Sequence, residues 1–218
     1  MDKSDVIRRM RVMYTGIVSD AMDKLGLREH LLPSELRPLR DTDMVAGFAF
    51  TGRGEPAATP QDDDNQMRFA MLEAISPMDV PVWECGDERV CAHWGGMMTR
   101  STRQAGGVGA VIWGGCRDVG DIIGQDFPVF NRFFHPGSSL GRWNIVEFQK
   151  PIHIGGIEIR PGDFLFGDRD GVIVIPAEHL QAVLEKAEEL FHKEQEMGRD
   201  MDQNSMDVRA AFDKYGTI

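Results

Sequence analysis

The stretch from His93 to Asp118 constrains this chain more than any other. It opens on Gly95-Gly96-Met97-Met98 with helical spacing, stops at Gly106-Gly107, runs apolar from Val108 to Trp113, and ends in Gly114-Gly115-Cys116-Arg117-Asp118. Helix, tight glycine turn, buried strand and glycine pair, in that order, are the cadence of an α/β unit that takes ligands at its strand ends. The glycines let a ligand approach the backbone closely. What the strand delivers is a cation beside a carboxylate. Arg117 offers a planar fork suited to a substrate carboxylate, and Asp118 offers hard oxygen to Mg²⁺ or Mn²⁺. A helix cap with a surface ion pair is the structural alternative for the same two residues.

The rest of the chain is read around that unit. Ser4 to Leu25 places Val6, Ile7, Met10, Met13, Ile17, Val18, Ala21, Met22 and Leu25 at helical spacing, which predicts one or two amphipathic helices ended by Gly26. Within it, Ser19-Asp20 reads as an N-cap after a break at Gly16, or as a polar pocket lip. Met44 to Thr51 predicts a strand, and Gly52, Gly54, Pro56 and Pro60 a loop. Asp62-Asp63-Asp64 predicts the acidic start of a helix with Met67, Ala70, Met71 and Ala74 buried and Pro77 as its end. Val80 to Trp83 suits a short strand.

The second half changes character. Pro128 to Phe130, Asn144 to Phe148, Ile152 to Ile154, Ile157 to Ile159, Phe164 to Phe166 and Val172 to Ile175 predict short strands in a compact β layer. Gly155-Gly156 makes the turn of a tight hairpin. Asp168, Asp170 and Gly171 lack the ligand pattern of a calcium loop and read as a turn. Ala177 to Glu196 predicts a long helix with Leu180, Val183, Leu184, Ala187, Leu190 and Phe191 on one face. Met201 to Tyr215 forms another helix or lies on a neighbour. The fold class is α/β: one domain over residues 1–218 with a central β layer, flanking helices, an N-terminal helical segment at 1–26 and a C-terminal one at 177–218.

Charge and cysteine content exclude several functions. A formal charge of -11 repels polyanions, so neither nucleic acid nor an anionic membrane surface is expected as a partner. Three cysteines, Cys85, Cys91 and Cys116, are odd in number and lack metal-ligand spacing, which fits a reducing cytoplasm. No apolar run reaches the about 18 residues of a membrane span, and the N-terminus has no export signal pattern. Cys116 adjoins the Arg-Asp pair without a histidine at local spacing, so it reads as a buried structural thiol. His93 either starts the helix or reaches the same pocket.

Taken together, Gly95-Gly96-Met97-Met98, Gly107-Val108-Gly109, Gly115-Cys116-Arg117-Asp118, Phe127-Pro128-Val129-Phe130, Arg160-Pro161-Gly162-Asp163 and Gly167 to Pro176 resemble the RraA-like family, which includes class II pyruvate aldolases. The resemblance runs from about Gly16 to the C-terminal helix. It implies trimers or hexamers with the active site between subunits, and cleavage of 4-hydroxy-4-methyl-2-oxoglutarate or related 2-oxo acids, or decarboxylation of oxaloacetate. It gives Arg117 the pyruvyl carboxylate and Asp118 the divalent metal. The turn amides of Gly96, Met97 and Met98 would cradle the same carboxylate.

One departure stands out. Active members carry an acidic residue about twenty positions before the Arg-Asp pair, where this chain has Gly96. That carboxylate helps hold metal-bound water. Glu84, Asp87 and Glu88 in the preceding loop and Asp121 one helical turn past Asp118 are the candidate replacements. The resemblance also implies a carboxylate from the neighbouring subunit, matched by Glu194 or Glu196, with a solvated helix face as the plainer reading. The leading expectation is therefore a metal-dependent carbon–carbon lyase acting on a small 2-oxo acid. Its rivals are a non-catalytic protein that regulates an RNA-degrading endonuclease, and a lyase for a sugar-acid derivative shaped by His93, Trp94 and Trp113.

Overall fold

The computed structural model describes residues 2–59 and 65–216. In chain order the elements are α1 (Lys3–Met10), α2 (Thr15–Lys24), β1 (Arg37–Pro38), β2 (Val45–Pro56), α3 (Gln66–Glu73), β3 (Asp79–Glu84), α4 (Gly96–Gln104), β4 (Ala110–Cys116) and α5 (Val119–Gly124). They continue with β5 (Val129–Phe134), β6 (Trp143–Phe148), β7 (Ile152–Ile154), β8 (Ile157–Ile159), β9 (Phe164–Asp168), β10 (Gly171–Ile175), a 3₁₀ turn (Ala177–His179), α6 (Leu180–Asn204) and α7 (Val208–Tyr215).

Strands β2, β3, β4 and β5 pair in parallel, each joined to the next across a helix. Antiparallel strands complete an eight-stranded sheet in the order β1-β5-β4-β3-β2-β9-β10, with β6 also on β2. The predicted α/β class and long C-terminal helix are therefore present. Of the six strands expected in the second half, four join the parallel unit in one sheet, and β7 and β8 stand apart as the expected hairpin, turning on Gly155 (φ +60) and Gly156 (φ +85).

Strand β4 shows why the glycine-flanked run folds as it does. Every residue of it is buried, and alternate side chains serve opposite faces. Val111 and Trp113 join Val82, Phe130 and Ile154 on one face, while Ala110, Ile112 and Cys116 join Met71, Trp83, Trp94 and Trp143 on the other. A third cluster holds α1, α2 and α6 against β9 and β10 through Met10, Val18, Phe166, Ile175, Val183 and Leu184. Leu180, Ala187 and Leu190 are buried on α6 as its spacing predicts.

Several boundaries differ from expectation for physical reasons. Strand β2 runs on through Gly52, Gly54 and Pro56, because β6 pairs with that extension and the Trp143 ring takes the space a side chain on Gly54 would need. The N-terminal helices break at 11–14 rather than at Gly16. Ser19 and Asp20 thus lie inside α2 and cap nothing. The cap comes from afar: Asp168 accepts from the Thr15 backbone N–H (2.8 Å) and from its hydroxyl (2.7 Å). In α3, which ends before Pro77, Met71 is buried but Met67, Ala70 and Ala74 are exposed. The expected acidic start at Asp62-Asp63-Asp64 lies outside the described residues. Helix α7 packs back on its own chain, where Lys214 and the Tyr215 hydroxyl both reach Asp200.

Candidate functional site

The site forms where β4 ends, at the carboxyl edge of the parallel strands. Residues Ala92 to Trp94 run beside that end as a further short pairing: the Gly115 carbonyl accepts from His93 N–H (2.8 Å) and Trp94 N–H (3.2 Å), and Arg117 N–H donates to the Trp94 carbonyl (3.0 Å). This lacing brings the start of α4 against the Arg117-Asp118 turn. Asp118 adopts the left-handed conformation (φ 59), which aspartate tolerates, and its Oδ2 accepts from the Gly96 N–H at 3.1 Å. Arg117 Nε lies 3.6 Å from the same Oδ2, with both side chains partly open to solvent. The Asp118 side chain makes no capping bond to its own helix α5, and it caps the first N–H of α4 instead.

Glycine at 95 answers to space. Its φ of −162° is ordinary extended backbone, but a Cβ there would lie 2.8 Å from Asp118 Oδ2 and 3.3 Å from Arg117 Cγ. The Gly96 amide, expected to cradle substrate, is already committed to Asp118. The amides of Met97 and Met98 have no intrahelical acceptor, as in the first turn of any helix, and remain for an anion. A cleft of about 150 Å³ is lined by Arg117, Asp118, Gly95, Met97, Met98 and Arg68, among others.

His93 is a wall of this cleft and no helix start. Its side chain is fully buried, Nδ1 accepts from Gly115 N–H at 3.0 Å, and its ring stands edge-on to Trp143 at 4.8 Å. That contact places the ring proton on Nε2, which faces Cys91 Sγ (3.7 Å) and Glu88 Oε1 (3.6 Å). Burial above all, with help from the charges of Arg68 and His135, pushes its pKa down to about 4. Trp94 is buried beside it with Nε1 donating to Thr99 Oγ1 (2.8 Å). Trp113 belongs to the opposite face of the sheet, stacked under the Arg132 guanidinium at 3.8 Å, and cannot shape the cleft. Cys116 is a buried free thiol whose pKa burial pushes up to about 12.

The four candidate acids separate cleanly. Glu84 accepts from His153 N–H (3.0 Å), Asp87 reaches Arg132 (3.1 Å) at the surface, and Glu88 sits behind His93. Asp121 alone stands against Gly96. Its Oδ2 occupies the space of the absent Cβ, held by Gln125 Nε2 (2.9 Å) and Arg100 Nη2 (3.5 Å). Glu194 and Glu196 lie on α6, where Glu194 bonds the Tyr14 hydroxyl; neither has a described contact with Arg117 or Asp118 in the same chain.

Sequence reasoning missed Arg68 and the loop of Ser138 to Leu140. Arg68 Nη2 donates to Ser139 Oγ at 2.9 Å, and both line the cleft. No local motif marks Arg68, because only the fold of α3 against β6 brings it there. Among the described residues no three histidine, cysteine, aspartate or glutamate side chains gather as a ready metal cage. A single open carboxylate beside a cleft still suits Mg²⁺, which commonly keeps several waters and takes one or two protein carboxylates. Asp118 fits that requirement. No described helix is long and apolar enough to cross a membrane.

Known proteins resemble this chain in sequence and in fold. A protein from Halalkalibacterium halodurans named "Putative 4-hydroxy-4-methyl-2-oxoglutarate aldolase" is 34% identical over 213 residues, covering 96% of this chain and 95% of its own. A solved structure described as "novel cellulases from microbes associated with the gut ecosystem" is 36% identical and superposes with a TM-score of 0.86, covering 90% of this chain and 88% of its own. Streptomyces coelicolor RraAS2, described as an unusual member of the RNase ES inhibitor RraA protein family, shares the fold with a TM-score of 0.78 at 24% identity, over 90% of this chain and 96% of its own. The family description Aldolase/RraA matches residues 15–174, the span that holds the whole parallel unit and its Arg117-Asp118 turn, and this chain belongs to the RraA-like family.

Proposed function

We propose that the chain is a divalent-metal-dependent carbon–carbon lyase that cleaves or decarboxylates a small 2-oxo acid of the 4-hydroxy-4-methyl-2-oxoglutarate, oxaloacetate or sugar-acid type. The observation that carries this reading is the meeting of the Arg117 guanidinium, the Asp118 carboxylate and the open amides of Met97 and Met98 at one cleft. Arg117 takes the substrate carboxylate in its fork, and the first turn of α4 adds amide donors and the positive end of its dipole. Asp118 holds Mg²⁺ or Mn²⁺, which when bound supplies Lewis acidity toward the 2-oxo group. The Gly96 N–H fixes the Asp118 carboxylate, so its orientation is set before ligand arrives. His93, neutral and buried, braces Gly115 and excludes water from the back of the cleft.

The cleft is proposed to be shared between subunits of a homotrimer or homohexamer. Met97 at 74% exposure, Phe134 at 64% and Leu140 at 44% surround its end of the molecule, an apolar rim suited to burial by a second copy. In such an assembly Glu194 or the exposed Glu196 enters from the neighbour. Pyruvate release from a panel of 2-oxo acids, with and without Mg²⁺ or Mn²⁺ and with EDTA reversal, tests the reaction. Turnover that EDTA abolishes is expected. Failure across the panel by folded protein would favour a protein-binding role instead.

A further inference from the structure

Gly96 has no backbone reason to be glycine. It opens α4 as its first residue with no left-handed φ, and alanine is a better helix residue by roughly 1 kcal/mol. What the missing side chain provides is room. A Cβ on residue 96 would collide with Asp121 Oδ2 and lie 3.2 Å from Asp121 Cγ and 3.4 Å from Asp118 Cβ. Two carboxylates from consecutive turns of the chain thus flank one backbone position, Asp118 on the Gly96 amide and Asp121 over its Cα.

Asp121 is held there deliberately from two sides. Gln125 is buried, and its Nε2 bonds both Asp121 Oδ2 (2.9 Å) and the Gly96 carbonyl (3.1 Å), tying the carboxylate to residue 96. Arg100, one turn along α4, reaches Asp121 Oδ1 at 3.2 Å. Like charges this close are costly unless cations share them. Arg117 beside Asp118 and Arg100 beside Asp121 supply part of that compensation.

We propose that Asp121 is a positioning residue of the site: glycine at 96 admits its carboxylate to the start of α4, where it reinforces the negative field that Asp118 presents to a divalent cation and its waters. The assignment rests on the lyase reading for the reaction but on the Gly96 packing for the geometry. It predicts that the carboxylate can be supplied from either side of the contact. Asp121→Asn should weaken Mn²⁺ binding tenfold or more. Gly96→Asp alone should be crowded by Asp121. Gly96→Asp combined with Asp121→Ala should recover Mn²⁺ affinity to within a few-fold of wild type, a strongly non-additive pair.

The experiment measures Mn²⁺ binding by calorimetry for wild type, Asp118→Ala, Asp121→Asn, Gly96→Asp and the double variant, with thermal midpoints and the pH profile of pyruvate release alongside. Weakened binding in Asp121→Asn at an unchanged midpoint, with recovery in the double variant, is the expected result. Wild-type Mn²⁺ affinity in Asp121→Asn, or a folded double variant that binds no better than Asp121→Asn, overturns the role of Asp121. Wild-type protein that neither binds Mn²⁺ nor releases pyruvate overturns the lyase reading itself, and the assignment with it.

Discussion

The Gly96 amide donates to Oδ2 of Asp118 at 3.1 Å across 22 residues of chain, fastening the first turn of α4 to the end of β4. The carboxylate proposed to hold metal is therefore oriented by the same helix proposed to receive the substrate's anionic end. Removing either charge at this junction should be felt in function before it is felt in folding, since both side chains are partly exposed.

Arg117→Ala is expected to raise KM by roughly ten- to a hundredfold, the worth of a charge-assisted hydrogen bond of about 1.5–3 kcal/mol. Asp118→Ala should abolish turnover and Mn²⁺ binding together. Steady-state pyruvate release and calorimetry measure these effects, and full activity in either purified variant would remove the site from this turn.

Gly115→Ala tests the lacing behind the site. A Cβ there would sit 2.6 Å from the Phe133 ring and 2.7 Å from the Cys91 carbonyl, and the carbonyl is backbone that cannot move aside cheaply. A loss of about 1–3 kcal/mol is expected from this overpacking. Urea unfolding would show it as a lower midpoint at unchanged slope.

His93 imposes a pH dependence on stability. The unfolded imidazole takes up its proton near 6.5 and the folded one only near 4, so below pH 6.5 protons favour the unfolded chain. The stabilisation is complete above pH 6.5 and is lost progressively toward pH 4, amounting to roughly 3 kcal/mol over that window. His93→Gln should flatten this part of the profile when urea midpoints are followed from pH 7 to 4.5. A wild-type profile flat over the same range would contradict the buried neutral imidazole.

Asp168→Ala should cost about 0.5–2 kcal/mol by uncapping α2 at Thr15. Its thermal midpoint should fall while pyruvate release at low temperature stays near wild type. Loss of activity without loss of stability would mean that this corner of the fold reports to the cleft in some other way.

The parts of this protein legible in the sequence are those whose causes are local. Val108 to Trp113 reads as a buried strand because its neighbours in sequence are glycines, and Gly155-Gly156 reads as a hairpin because the turn needs left-handed backbone. The α6 face is legible because its burial repeats every turn. Features set by distant partners were opaque. Strand β2 continues past Thr51 because of β6, α2 begins at Thr15 because of Asp168, and Arg68 reaches the cleft through α3. The choice among Glu84, Asp87, Glu88 and Asp121 needed three dimensions, since all four lie within reach of Gly96 along the chain and only Asp121 touches its space.

The double use of the Gly115 carbonyl, with the Arg117 amide returning to Trp94, closes residues 93–96 and 115–118 into one hydrogen-bonded ring. Such a ring loses its conformational entropy when the protein folds, long before any ligand arrives. Binding free energy at the cleft is then free to orient the reacting bond instead of ordering loops, and variation in the surrounding rim can change which acid is accepted while the ring itself stays as it is.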